Sequence, residues 1–325
     1  MLTVVVLVAL RLALGCHFFY EGVWKITHSD EFTAKPFLTQ AKGPLAGIFY
    51  AMVPDIDARE RLQVETDAEG NKSINSDGIA ARWNNVRQEF VDHYRPADAS
   101  KEAATAYKQV ESKAEQTYER FRGQLKDYLA ENVDAIDAHF RSLDEFENSD
   151  EYAQSAPFQK RRHWDRMMEL RREADEWIKD IEGQEEAFTN TLYALLDDEQ
   201  KKQGPLPTSW NPFRWDRIEQ INFAVTYGLT AIGLCLLLGL CTSLAALGGA
   251  AFMCFVVMTQ PAWPTIYPPD PAVVGHALII NKDFIEMLAL LTIATTSAGR
   301  WGGLDFFLYR WIVDPVLARF KCKEQ

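Results

Sequence analysis

The sequence predicts an all-α protein, built as a four-helix transmembrane bundle with an inserted water-soluble helical hairpin or three-helix domain. Two observations support this fold class. Long apolar runs lie near both ends of the chain, and a highly charged stretch with helical periodicity lies between them. We therefore expect a first span with an interfacial segment at 1–54, a soluble coiled-coil-like α-helical domain at 55–205, and spans two to four with an amphipathic tail at 206–325.

Four apolar runs are long enough, or nearly so, to cross a hydrocarbon core, which requires about 20 residues. They are Leu2–Ile26, Ile221–Leu240, Leu244–Met258 and Phe284–Ser297. The third and fourth runs are short and would need flanking residues. The first run continues well past Cys16, which favours a retained span over a cleaved signal peptide.

The charged residues are concentrated between the apolar runs. Residues 28–215 contain 37 acidic and 25 basic residues and therefore carry the whole net charge of -12. A segment with this charge density cannot enter lipid, so it must form a domain in water. None of the five cysteines lies in this segment, which argues against a disulfide framework.

The inserted segment begins with an apolar stretch and continues with helical periodicity. Residues 34–53 are interrupted by prolines and glycine, which predicts an interfacial or re-entrant segment instead of a span. Apolar residues recur every three or four positions from about Ser100 to Phe146 and again from Trp164 to Leu195. Two such stripes predict an antiparallel helical hairpin, with Trp83 on a third helix.

The first span carries ionisable side chains on one side. At 100° per residue, four of them fall within an arc of roughly 120°. Ionisable groups in a bilayer are costly, so they normally face a protein interior or a wet cavity and indicate a functional site. These residues are Arg11, His17, Glu21 and Lys25.

A second polar face is predicted on the last span, where small and charged residues fall within an arc of roughly 100°. They are Lys282, Glu286, Ala289, Thr296, Ser297 and Arg300. Packing this face against the first span would allow a Glu21–Lys282 or a Lys25–Glu286 ion pair. Two interpretations remain open. Either these groups only fasten the spans together, or they line a functional polar pocket.

Basic residues near the C-terminus favour a cytoplasmic end by the positive-inside rule. An even number of spans then places the N-terminus inside and the insert outside the cytoplasm. The segment "LDFFLYRWIVDPVLARF" is too interrupted to span and predicts an amphipathic helix on the membrane surface.

The membrane half resembles the DoxX family of four-span membrane proteins, which includes the DoxD-type subunit of thiosulfate:quinone oxidoreductase. The resemblance is carried by "RLALGCHFFYEGVWKI", by the interfacial "FLTQAKGPLAGIF" and above all by "NKDFIEMLALLTIATTSAGRWGGLD". It does not extend to the insert. It implies a multi-pass protein of the bacterial inner membrane, with electron transfer from thiosulfate or a related small reductant to a quinone.

The resemblance and the polar faces together give candidate site residues. We expect His17, Glu21 and Glu286 to be catalytic, since they could relay protons to a quinone. Substrate-binding roles are expected for cationic and polar residues that could attract an anion, namely Arg11, Lys25, Asn281, Lys282 and Arg300. Quinone is the expected cofactor, and the sequence contains no flavin, haem or metal motif.

Other function classes fit the same sequence. The chain could be a non-catalytic membrane scaffold that recruits a partner through its helical insert, or a carrier of a small molecule or lipid. The expected partners are the lipid bilayer and either a second redox subunit or an extracytoplasmic protein, with no nucleic acid.

Overall fold

The computed structural model describes two compact units, each of which has its own core. The membrane unit comprises Met1–Pro54 and Asn211–Gln325, and the insert unit comprises Asp55–Trp210. The residues that the structure describes are 1–42, 45–95, 101–148, 157–206, 212, 215–259 and 280–313.

The described chain is mostly helical, with two short strands, which confirms the helical part of the predicted fold class. In chain order the elements are α1 (Leu2–Thr27), α2 (Lys35–Thr39), α3 (Ala46–Tyr50), β1 (Val64–Thr66), β2 (Lys72–Ile74), α4 (Asp77–His93), α5 (Lys101–Glu147), α6 (Pro157–Ala194), α7 (Asp198–Lys201), α8 (Arg217–Leu238), α9 (Thr242–Thr259), α10 (Lys282–Thr295) and α11 (Asp305–Leu308). A π-helical turn, Tyr309–Val313, follows α11.

Within the described residues, three helices are long and apolar enough to cross a membrane: α1, α8 and α9. The prediction of a membrane protein with transmembrane helices is therefore confirmed. The fourth predicted span corresponds to α10, which has 14 residues. At 1.5 Å per residue it extends only about 21 Å, less than the roughly 30 Å of a hydrocarbon core. It ends early because Thr296 adopts extended backbone geometry.

Small residues bring α1 and α8 together. A β-carbon on Gly15 would lie 2.9 Å from the Leu237 backbone nitrogen, and one on Gly22 would collide with Thr230. On α8, Gly233 meets the backbone of Phe19 in the same way. Such close approach is how helices associate in lipid, where the hydrophobic effect between helices is weak.

The core of the membrane unit is formed by side chains from α1, α8, α9 and α10, including Phe18, Leu236, Met253 and Leu290. The short helices α2 and α3 pack at the C-terminal end of α9. There the Lys42 amide donates to the Thr259 carbonyl, and the Phe49 ring contacts Phe255 edge-on. The N-terminal part of the chain therefore covers one end of α9.

The insert unit is a bundle of α4, α5 and α6 with one small ribbon. Strands β1 and β2 pair antiparallel, with Val64 opposite Ile74. Contacts such as Phe121 with Phe188 and His139 with Trp177 show that α5 and α6 run antiparallel. Helix α4 completes the bundle by burying Trp83, whose ring stacks on Phe188.

Candidate functional site

A cavity of about 270 Å³ opens between α1, α8, α9 and α10 in the membrane unit. One part of its wall is apolar and contains Phe18, Leu229, Phe252, Met253 and Val256. The rest is polar and is formed by His17, Glu21, Lys25, Lys282, Asp283 and Glu286. Five of the eight residues predicted as site residues therefore line one cavity.

Helix α1 supplies three of the polar side chains at intervals of four residues, which places them on one face. The Lys25 Nζ atom lies 2.8 Å from Glu21 Oε2 and also points towards the ring of Phe32, 5.3 Å from its centroid. The Lys25 ammonium is mostly buried, whereas Glu21 is partly exposed. This ion pair forms one polar edge of the cavity.

Helix α10 supplies Glu286, which faces His17 across the cavity. The His17 Nε2 atom lies 3.6 Å from Glu286 Oε1, longer than a normal hydrogen bond. The Glu286 carboxylate is mostly buried, whereas about half of the His17 side chain is exposed. Imidazole and carboxylate groups are among the side chains that serve as general acids and bases, and a contact of this length can tighten when a ligand binds.

The ion pairs differ from those that the sequence suggested. Glu21 pairs with Lys25 on its own helix, and Glu286 pairs with His17, so neither the Glu21–Lys282 nor the Lys25–Glu286 ion pair forms. The reason is helical spacing, since residues four apart on α1 meet without any help from a second helix.

Lys282 lies at the first position of α10, with its side chain exposed at the cavity. In the described part of the chain, no carboxylate lies within 4.0 Å of its ammonium group, although Glu21 and Glu286 are close enough to attract it. Asn281 does not line the cavity. It is buried and caps α10, because its side-chain oxygen accepts from the Phe284 amide at 2.9 Å.

Arg11 and Arg300 lie outside the cavity. Arg11 is 1% exposed and donates from Nη1 to the Ala298 carbonyl at 3.0 Å and from Nη2 to the Gly302 carbonyl at 3.4 Å. The Arg300 guanidinium stacks on the ring of Tyr309, 3.5 Å from its centroid. The structure thus gives Arg11 a set of backbone contacts instead of a position against a ligand in this cavity.

Asp305 organises the same end of the unit as Arg11, a role that the residue pattern did not indicate. Its carboxylate accepts from the Cys241 amide at 2.6 Å and the Thr242 amide at 2.9 Å, so it caps the start of α9. A β-carbon on Gly299 would collide with Asp305 and Thr242. The signal available in the sequence was the cluster of glycines just before this aspartate in "AGRWGGLD".

The insert unit contains a second cavity, of about 360 Å³, lined by residues from α4, α6, the segment before β1 and the segment between β2 and α4. Two arginines face it, but both have carboxylate partners. Arg61 Nε donates to Asp55 at 2.9 Å, and Arg82 pairs with Glu185. Sequence reasoning did not identify this cavity, because its lining residues are scattered over more than a hundred positions.

Within the described ranges, no group of three or more histidine, cysteine or acidic side chains is arranged to hold a metal ion. Comparisons with known proteins found no matching family model, no matching curated protein and no matching solved structure. A functional hypothesis for this chain must therefore be argued from the geometry of the cavity.

Proposed function

We propose that the protein is a multi-pass protein of the bacterial inner membrane and a subunit of a quinone-linked oxidoreductase of the DoxX/DoxD type. The ligand of the cavity in the membrane unit is then a quinone ring. The observation that carries this proposal is the facing pair of His17 and Glu286, two groups able to exchange protons beside an apolar wall.

The chemistry of quinone reduction matches this cavity. A quinone takes up two electrons and two protons to become a quinol, and His17 and Glu286 can each hand over a proton as negative charge develops on the quinone oxygens. Phe18 and Phe252 give the ring an apolar surface on which to pack. Glu21 belongs to the same network through its ion pair with Lys25.

The cations of the cavity suit an anionic reductant. Lys282 has no carboxylate within ion-pair distance among the described residues, so its ammonium is the group that would attract thiosulfate or a related anion, in competition with the nearby carboxylates of Glu21 and Glu286. Two thiosulfates, one quinone and two protons would give one tetrathionate and one quinol. Electrons reach the quinone from this reductant directly or through a second subunit.

The test is quinone reduction with thiosulfate as donor, together with direct binding of the quinone, for the purified protein in nanodiscs. We expect Glu286→Gln and His17→Gln to reduce turnover by about 100-fold, a typical contribution of a positioned proton donor. The matched control is Glu31→Gln, which removes an exposed carboxylate outside the cavity.

Two results would contradict the oxidoreductase proposal. One is quinone turnover at the wild-type rate in both cavity variants. The other is a folded wild-type protein that neither binds nor reduces the quinone. In the second case the scaffold hypothesis becomes the better one, since α5 alone contains 47 residues and offers a long helical surface for a partner.

A further inference from the structure

Helix α1 extends well beyond the turn that joins α8 and α9. Contacts along the α1–α8 pair fix their register, because Gly22 faces Thr230, Gly15 faces Leu237 and the Arg11 guanidinium reaches Gly239. Arg11 is thus level with the end of α8. The nine residues Leu2–Leu10 continue past this level, over about 14 Å at 1.5 Å per residue.

The extension of α1 is apolar and exposed. It reads "LTVVVLVAL", and its exposed fractions include 77% for Leu2, 59% for Val5 and 56% for Val6. The start of α11 lies at the level of the same turn, because the Leu304 amide donates to the Leu238 carbonyl. This region also exposes large side chains, including Phe306, Phe307 and Trp311, the last of which is 71% exposed.

Protein groups satisfy the backbone of the α8–α9 turn. The Asp305 carboxylate accepts from the Cys241 and Thr242 amides, and the Asp305 amide donates to the Gly239 carbonyl at 2.7 Å. Arg11 in turn donates to two carbonyls of the neighbouring 298–302 segment. A turn at the membrane surface could leave such groups to water, whereas a turn in hydrocarbon must have them satisfied internally.

The lengths of the helices agree with a turn in hydrocarbon. Helix α8 reaches the length of a span only when its mostly polar residues 217–222 are counted, whereas its apolar residues 223–238 cover about 24 Å, less than the roughly 30 Å of a hydrocarbon core. The apolar extension of α1 exceeds this shortfall. The opposite charges of Arg11 and Asp305 attract each other and sum to zero, and the third charge at this level, the exposed Arg300 guanidinium, lies over the ring of Tyr309.

We propose that the α8–α9 turn lies inside the hydrocarbon region and is covered by lipid acyl chains. Helices α8 and α9 then form a hairpin that stops short of the headgroups on that side, and α1 together with the α11 region completes the crossing. Arg11 and Asp305 replace water as the hydrogen-bonding partners of the buried turns. This proposal does not depend on the quinone hypothesis.

Cys241 provides a direct test, because it is an exposed residue of the turn itself. A spin label is attached to a variant in which the other four cysteines are alanine, and the protein is placed in nanodiscs, which leave both membrane faces accessible. Collision rates are then measured with molecular oxygen, which concentrates in hydrocarbon, and with a polar nickel chelate, which stays in water. We expect frequent collisions with oxygen and rare collisions with nickel.

Two outcomes would overturn the lipid-covered turn. Frequent collisions with the nickel chelate, as expected for a control label at Ser29→Cys in the exposed turn after α1, would place Cys241 in water. Rare collisions with both reagents would mean that protein covers it. A second readout avoids any disturbance by the label: the unlabelled Cys241 variant should react with a charged maleimide at least tenfold more slowly in nanodiscs than in denaturing detergent.

Discussion

Gly239 ends α8 with a φ angle of 62°, in the left-handed region that favours glycine. A β-carbon there would also lie 2.7 Å from Gly303 Cα and would collide with the Arg11 guanidinium. Arg11, Gly239 and Gly303 therefore fit together only while both glycines lack side chains. At this end of the membrane unit, any residue larger than glycine at position 239 or 303 would prevent the close backbone contact between the two positions.

We predict that Gly239→Ala lowers the free energy of unfolding by about 2 kcal/mol, because it combines left-handed backbone strain with a steric clash. Gly228→Ala is the matched control, since it lies within the same helix and a β-carbon there meets no atom within 4 Å. Titration with a denaturing detergent, followed by tryptophan fluorescence, measures the difference. Equal unfolding midpoints for the two variants would refute this account of the turn.

At the residue scale, part of the candidate site could be predicted from the sequence. Angular position on a helix follows from residue spacing, so His17, Glu21 and Lys25 were expected on one face, and the structure places them along one cavity. Arg11 shares their angular position but lies six residues earlier, about 9 Å along the axis, where it meets a turn instead. Spacing alone does not reveal which level of a helix faces which neighbour.

At the scale of elements, α10 shows a second limit of sequence patterns. The apolar run Phe284–Ser297 predicts a span that is completed by flanking residues such as Trp301, but the helix stops at Thr295. The glycines that follow are required by close contacts with Asp305 and with Arg11 and Thr242, the last two of which come from distant parts of the chain. Hydropathy records none of these contacts, so it could not predict where the helix ends.

An ion pair joins two elements of the insert unit. The Lys72 ammonium on β2 donates to the Asp137 carboxylate on α5 at 2.6 Å, and Arg141 lies 3.0 Å from the same carboxylate. The hydrogen bond from Lys72 and the two positive charges lower the pKa of Asp137. The carboxylate form is therefore favoured in the folded state, and the ribbon is attached to the helix through it.

This pKa shift predicts a pH dependence of stability. Because the folded-state pKa of Asp137 is lowered, its contribution is present above the unfolded pKa of about 3.9 and is lost as pH falls through the folded value. Lys72→Met should reduce stability at neutral pH by less than about 1 kcal/mol, as expected for a pair near the surface. This difference should shrink below about pH 4.

Denaturant unfolding reported by the fluorescence of the buried Trp83 measures this effect in the insert unit. Lys72→Arg is the control, since it keeps the positive charge on β2. If the difference between wild type and Lys72→Met were the same at neutral and acidic pH, the ion pair would not be the cause.

At the scale of the whole molecule, the two units have separate cores. The membrane unit packs around Phe18, Leu236 and Leu290, and the insert unit around residues such as Trp83 and Phe188. The two ends of the membrane unit that flank the insert also come together, because Arg217 Nη1 donates to the Ala51 carbonyl at 3.0 Å. A short connection could therefore replace the insert without separating α3 from α8.

We predict that a chain in which a short glycine-serine linker replaces residues 55–210 still folds in nanodiscs. Its helical content per residue and its unfolding midpoint in denaturing detergent should stay close to those of the membrane unit in the intact protein. The expectation follows from the separate cores, because the described core residues of the membrane unit come from α1, α8, α9 and α10 and the loop after α10. Aggregation of the shortened chain would contradict it.

The same shortened chain separates the two functional hypotheses for the whole molecule. If the cavity reduces a quinone, its lining residues are all retained, and quinone binding should survive deletion of the insert. If the protein is a scaffold, a partner captured by the intact chain should be lost while the membrane unit remains folded. Glu286→Gln in the intact chain should have the opposite effect. It alters the cavity and should impair quinone turnover, but it leaves every residue of the insert unit in place and should therefore preserve capture of a partner. Loss of quinone binding in the shortened chain, together with wild-type turnover in Glu286→Gln, would place the ligand site outside the cavity.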